Sequence, residues 1–375
     1  MNLLGVHLTV LLGETIPGPA PLAVSEALQS VEVTHSDRGP SGFQITLHVG
    51  RSSALDLPDY RLFTDPRLKP FNRVILIVRF AVAPQVLMDG FITNQQLNPG
   101  NEPGTSTLTL TGEDVSVMMD LEETPRQHPA LPDGAIVRKL IAPYTVSLGL
   151  VPDVIDPPTI AVQNPAEGTQ QQPSNYTDRA YIQALAQRYG FVFYVEPGPL
   201  PKVNRAYWGP QKRLDLPQRA LSVNMGPDTN VGSINFRNNA LAPNAVAFRS
   251  GATEQRIGGP SPTRLPLVRN RAELRRTRYL STADPLSEQQ ARDRAQGMVD
   301  ESLEEVVTAT GELDALRYDG LLMARGIVDL RGAGQSYDGS YYVKSVTHNI
   351  SKGEYRQRFT LTREGTGTLK PLVRT

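Results

Sequence analysis

Five histidines, His7, His35, His48, His128 and His348, are the side chains best suited to hold a metal or carry a proton. They are scattered, with no HExxH or other ligand spacing among them, and no metal site is expected. Cysteine is absent, which excludes disulfides, thiolate chemistry and Cys-based zinc sites. The stretch GPSGF sets Ser41 in something close to a nucleophile elbow, but Phe43 stands where the second glycine belongs. Gly332-Ala333-Gly334 begins like a dinucleotide fingerprint and fails because Tyr337 takes the place of the third glycine. The acidic pairs Glu122-Glu123 and Glu304-Glu305 have the right residue types for acid and base work, yet adjacent side chains point apart and a solvated face is expected at both. Between Gly251 and Tyr279 lie Arg264, Arg269, Arg271, Arg275, Arg276 and Arg278, with few apolar anchors. They would suit phosphate, but Tyr279 is the one aromatic beside them and an acidic helix follows, so ion pairing within or between subunits is the better reading. No catalytic constellation and no cofactor are expected.

The elements that carry these residues read as β structure. A chain of 375 residues is too long for one core and suggests two to four domains. Lys plus Arg and Asp plus Glu each number 38, so no global field draws the chain to nucleic acid or an acidic membrane. Gly and Pro, 31 of each, are spread among short apolar runs, as in many short strands joined by turns. The run Leu3 to Leu12 reads as a first strand rather than a signal peptide, since no Lys or Arg precedes Arg38. Nothing approaches the roughly 18 consecutive apolar residues of a membrane-spanning helix.

The most informative stretch is DGSYYVKSVTHNISKGEYRQRFTLT, Asp338 to Thr362, whose β-branched and aromatic residues break only at Ser351-Lys352-Gly353. It predicts a hairpin with Gly353 left-handed in a three-residue loop. In that register Ile350 faces Glu354, Val343 faces Leu361 and Ser345 faces Phe359, while Lys344, His348, Arg356 and Arg358 lie on the wet face. The same pattern opens upstream at Asp89-Gly90, read as a turn, and closes on Leu108-Thr109-Leu110-Thr111, and RVILIVR (73–79) matches RGIVDLR (325–331). An internal duplication follows. Between the copies, Ile136, Val137, Leu140 and Ile141 predict a short helix, and Thr177 and Gly190 bracket a second, with Tyr181, Ile182, Leu185, Ala186 and Tyr189 as its core stripe, before the strand FVFYV. A third helix is expected from Ser287, capped with Gln290 and laid close on a sheet by its small residues.

Three stretches together resemble the baseplate hub proteins of contractile phage tails, the late control D family, whose fold recurs in the N-terminal part of VgrG spikes. The hairpin is similar to the family's closing hairpin at Gly339, Tyr342, Val343, Val346, His348, Gly353, Tyr355 and Phe359. NYTDRAYIQALAQRYGFVFYV resembles its helix and strand at Thr177, Asp178, Tyr181, Ile182, Leu185, Ala186, Gly190 and Phe191, and MDGFITNQQ through LTLTGEDVSVMMD matches at Gly90, Gly112, Glu113 and Asp114.

The resemblance implies a mainly β chain with an α+β middle: two tube-like β-barrel domains related by internal duplication and joined by a small α/β region. The expected division is a first barrel over 1–122, a middle domain over 123–230 with a Pro/Gln-rich connector at 156–173, and a second barrel over 231–375 containing a basic excursion and helix at 251–305. It also implies a structural homotrimer with pseudo-sixfold symmetry that joins a six-fold inner tube, or tube initiator, to a three-fold spike, with other baseplate proteins around it. Because the sequence ends at Thr375 with no space for a needle, the spike is expected to be a separate protein. Arg269, Arg271, Arg275, Arg276 and Arg278 are the expected subunit contact. Assembly in a bacterial cytoplasm, as part of a phage tail or injection particle, is implied, without membrane insertion or nucleic acid. Two other readings remain, a hub that also hydrolyses cell wall with Glu301 or Glu305 as acid, and a free carbohydrate-binding β protein.

Overall fold

The structure is a computed structural model describing residues 2–3, 6–14, 16–50, 59–80, 83–102, 105–129, 131–157, 169–250, 253–262, 264–280 and 288–371. The expected cap Ser287 and most of the connector 156–173 lie outside the described residues. Six strands form the first part: β1 (Val6–Gly13), β2 (Leu28–Ser36), β3 (Gly42–Val49), β4 (Arg73–Phe80), β5 (Ala83–Asn98) and β6 (Ser106–Asp114). They hydrogen-bond in the order β1-β4-β5-β6-β3-β2. Alternation decides their faces: Val31 and Val33 of β2 point to the same core as Leu8 and Leu12 of β1, at the far end of the path, so the sheet curls around one apolar interior.

The middle holds α1 (Asp133–Ile141), β7 (Leu150–Val154), α2 (Asp178–Arg188), β8 (Val192–Pro197) and β9 (Asn204–Gly209). The stripes read from the sequence pack as expected, with Ile136, Val137, Leu140 and Ile141 of α1 meeting Tyr181, Ile182, Leu185 and Ala186 of α2 around Trp208. The Thr177 hydroxyl accepts from Ala180 N at 3.1 Å, and Gly190 is left-handed at φ +66° where the helix stops.

The second strand set is β10 (Gln218–Ser222), β11 (Val231–Asn238), β12 (Asn244–Ser250), β13 (Thr253–Ile257), β14 (Arg276–Tyr279), β15 (Val307–Asp314), β16 (Ile327–Arg331), β17 (Gly339–Ser351) and β18 (Glu354–Arg363), with the long helix α3 (Glu288–Glu304) before β15. Here β10-β16-β17-β18-β15-β11 repeats the order of the first path strand for strand, first, fourth, fifth, sixth, third, second in the chain. Its core is again its own, joining Leu221 and Val231 at the two ends of the path. One strand differs in direction: β1 runs antiparallel to β4, whereas β10 runs parallel to β16. β11 and β12, neighbours in sequence, do not pair with each other; β12 joins β13 and β14 in a small sheet on which α3 lies.

The structure also moves the repeat. Asp89-Gly90 is no turn: both residues sit inside β5, opposite Ile75 and Val74 of β4. The true landmarks are two non-glycine residues with left-handed backbone, Phe71 (φ +66°) and Arg325 (φ +71°). Phe71 N donates to Ile92 O at 2.7 Å and Arg325 N to Val343 O at 2.7 Å, and each acceptor is followed by a bulge, at Thr93 in β5 and Lys344 in β17. Arg73 therefore corresponds to Ile327, opposite Phe91 and Tyr342, two residues away from the alignment that sequence suggests. A slip of two leaves every side chain on its face, so alternation alone does not detect it.

The closing hairpin turns at Lys352-Gly353, with Ser351 opposite Glu354 and Ile350 opposite Tyr355, one step from the expected register. Gly353 is left-handed as required (φ +85°). The Lys344 bulge restores Val343 opposite Leu361 and places Val346, not Ser345, opposite Phe359. It also exchanges the faces, so His348, expected in solvent, is fully buried beside Val346 and Ile350.

Candidate assembly interface

The two curled sheets meet edge to edge. β2 pairs antiparallel with the outer half of β17, from Ser345 opposite Ser36 to Ser351 opposite Ser30, making one sheet that, with the short strands Asn2–Leu3 and Gly18–Pro19 beside β1, has 14 strands. On the outer face Thr34 and Thr347 share a hydroxyl hydrogen bond at 3.0 Å. On the inner face Ile350 and Tyr355, from the second sheet, enter the core of the first.

Polar groups buried beneath this seam fix its register. The rings of His35 and His348 meet edge to face, centroids 5.6 Å apart. His348 Nδ1 lies 2.9 Å from the Tyr355 hydroxyl and 3.2 Å from Gln357 Nε2, and Gln357 exchanges two bonds with the Leu322 backbone. Burial pushes the His348 imidazole down to about 3. Burial, with the Arg325 guanidinium and His348 adding to it, holds His35 well below its ordinary range.

Arg325 ties three regions together. Its guanidinium donates to Ser36 O at 2.9 Å, to Ser41 Oγ at 2.8 Å and to Val195 O of β8 at 3.0 Å, and lies 4.0 Å from the centre of the Tyr194 ring. Ser41, His35 and Asp114 lie close together, yet they do not form a nucleophile relay. Asp114 accepts from the Ser41 backbone N at 2.6 Å rather than from the histidine, and Ser41 is buried. A second bridge is Arg38, which pairs with Glu301 and with buried Glu304, where Arg264 also reaches at 3.5 Å. Glu304 was expected on a solvated face; instead burial pushes its carboxyl up between two guanidiniums that act to lower it. Lys344 bonds Glu305 and holds that carboxyl below its ordinary range.

The residues of the family-like motifs occupy buried or closely packed places in the fold. A Cβ on Gly90 would strike the Glu113 carbonyl, and Phe43 lies over Gly112. Glu113 pairs with Arg179 at 2.8 Å, while Asp114 accepts from Ser116 N at 2.9 Å and caps the short turn that follows β6. Asp178 is buried and reached by Arg126 at 3.3 Å; Tyr181 and Leu185 are core. Phe191 stands edge-on to Trp208, ring centres 5.1 Å apart. Gly339 is left-handed (φ +114°), and Tyr342, Val343, Val346, Tyr355 and Phe359 are buried.

Arg269, Arg271, Arg275, Arg276 and Arg278 are exposed on a segment anchored by Leu267 and Val268, with Arg275 bonding Glu273 and Arg276 reaching Leu241 O. Arg325, Arg38, His35 and Gln357 were not singled out by their sequence context. The signal available for Arg325 was a bulky residue directly before Gly326 at the entry to a strand.

No protein-family model matches the chain, and no curated protein matches it in sequence. Solved structures do match its fold. A tail protein from Neisseria meningitidis MC58 superposes with TM-score 0.66 at 13% identity, covering 97% of this chain and 98% of that one. The 43 kDa tail protein of prophage MuSo2 from Shewanella oneidensis gives TM-score 0.66 at 11% identity, covering 96% and 98%. The E. coli c3393 protein, a type VI secretion system component with structural similarity to the bacteriophage T4 tail proteins gp27 and gp5, gives TM-score 0.53 at 13% identity, covering 92% and 77%. The chain has the fold of these tail and secretion-system proteins.

Proposed function

We propose that this chain is a structural hub of a contractile tail or injection machine. It assembles as a homotrimer whose six strand sets form a pseudo-sixfold ring between a six-fold inner tube and a three-fold spike, within a particle built in the bacterial cytoplasm. The observation that carries this reading is the repeated six-strand path: one chain supplies two like-built units joined edge to edge, so three chains supply six. The shared fold with phage tail proteins supports the setting. We read the exposed arginines from Arg269 to Arg278 as part of the contact with neighbouring subunits.

The role is mechanical rather than catalytic. A general acid needs a carboxyl held above its ordinary range and open to substrate, whereas Glu305 is held below by Lys344, and Glu304, which burial raises, is sealed between Arg38 and Arg264. The test is the mass of the purified full chain by light scattering together with class averages in the electron microscope. A trimeric ring with six-fold-like modulation is expected; a monomer at micromolar concentration overturns the reading.

A further inference from the structure

The seam inside the chain leaves its two halves exposed a second time. In the second sheet, the edge of β17 is taken first by Arg325 and Gly326 at Val343, then by Asp37 N donating to Lys344 O at 3.0 Å, then by β2. The first sheet begins in the same way, with Phe71 and Asn72 bonded to Ile92. Beyond the Thr93 bulge, however, Asn94–Asn98 of β5 pair with β6 on one side and, among the described residues, with no strand on the other. β11 is the counterpart of β2, since Ile234 faces Gly311 of β15 as Val31 faces Ile45 of β3. It pairs with β15 on one side and, among the described residues, with no strand on the other.

Carrying the register of the inner seam across gives a matched pair of edges. Thr347 opposite Thr34 becomes Gln96 opposite Arg237, His348 opposite Val33 becomes Leu97 opposite Phe236, and Asn349 opposite Glu32 becomes Asn98 opposite Asn235. Leu97 and Phe236 are half-buried against the cores of their own sheets, while Gln96, Asn98, Asn235 and Arg237 are exposed. Apolar would meet apolar beneath the joint and polar would meet polar above it. Pro99 stands where Ile350 stands in the inner seam and lacks an N–H, so the joint ends there.

We propose that β11 of one copy pairs antiparallel with Asn94–Asn98 of β5 in a second copy, repeating between chains the seam that β2 and β17 make within one. The contact is head to tail, and such contacts either close into a ring or run on as a filament. Closure at three copies rests on the proposed hub function.

The cysteine-free chain makes the test direct. The double variant Gln96→Cys/Arg237→Cys is oxidised and run on a non-reducing denaturing gel, beside each single variant and beside Thr34→Cys/Thr347→Cys, whose positions already touch inside one chain. The expected result is covalent dimer and trimer with nothing larger from the first pair, monomer from each single variant, and an internal bridge without mass change from the control. If light scattering gives a trimer and the control bridge forms, yet Gln96→Cys/Arg237→Cys stays monomeric on the gel, the joint is wrong and the hub reading stands. A monomer in solution overturns both, and a covalent ladder running past three overturns ring closure.

Discussion

At the residue scale, this fold spends buried polar groups on alignment. Arg325 makes three directional bonds to three regions, and removing it takes a buried donor from Ser36 O, from Val195 O and from Ser41 Oγ, which then keeps only His35 Nδ1 at 3.2 Å. Arg325→Met should cost about 3 kcal/mol, and Arg325→Lys should recover little of it, because an ammonium does not reproduce the planar fork; urea unfolding measures both. The paired histidines make the seam acid-sensitive. Both rings have folded pKa values below the unfolded value near 6.5, so the stability they contribute is complete above about pH 6.5 and is lost as pH falls, for His348 down to about 3. Burial raises Asp37 and Asp114, which act in the opposite direction. The melting temperature of the parent should therefore fall faster between pH 6.5 and 5 than that of His35→Gln/His348→Gln, and equal slopes would refute the assignment. None of this was legible in the sequence, because a histidine in an alternating strand reads as solvent-facing until the bulge at Lys344 is known.

At the scale of elements, the strands, the two middle helices and the closing hairpin follow from alternation, capping residues and left-handed glycines, and these the sequence displays. Which strand lies beside which is another matter. β11 and β12 look like a hairpin around an Asn-rich bend, but β11 is drawn to β15 and β12 to β13 and β14, since each must bury Ile234 and Phe236, or Val246 and Phe248, against the second core. Helix contacts are similar: the small residues of α3 were read as seating it on a sheet, and Gly297 also lets it touch α2. A Cβ on Gly297 would lie 2.6 Å from Gly190 N. Gly297→Ala gains about 1 kcal/mol of helix propensity and loses more to that collision, whose usual cost is about 1–3 kcal/mol. A net destabilisation of about 1 kcal/mol is expected in thermal melts, whereas Ala at the exposed position Arg292 of the same helix should have a smaller effect.

At the scale of the whole molecule, the resemblance in sequence and the repeated path in the structure point to the same doubled architecture, although the sequence aligned the copies two residues out of step. The sheets are not independent, because Ile350 and Tyr355 of the second complete the core of the first. Calorimetry of the full chain should show these two sheets melting in one transition, and residues 1–122 expressed alone should aggregate or bind a hydrophobic dye; two well-separated melts for the sheets would contradict the shared seam. The partners Thr34 and Thr347 lie 313 residues apart. During synthesis at about 5–20 residues per second, β2 waits roughly 15 to 60 s for the hairpin that covers it. Every ribosome making this chain thus holds out a half-finished, sticky nascent domain, and the yield of intact protein depends on how well the cell shields that intermediate until the closing hairpin emerges.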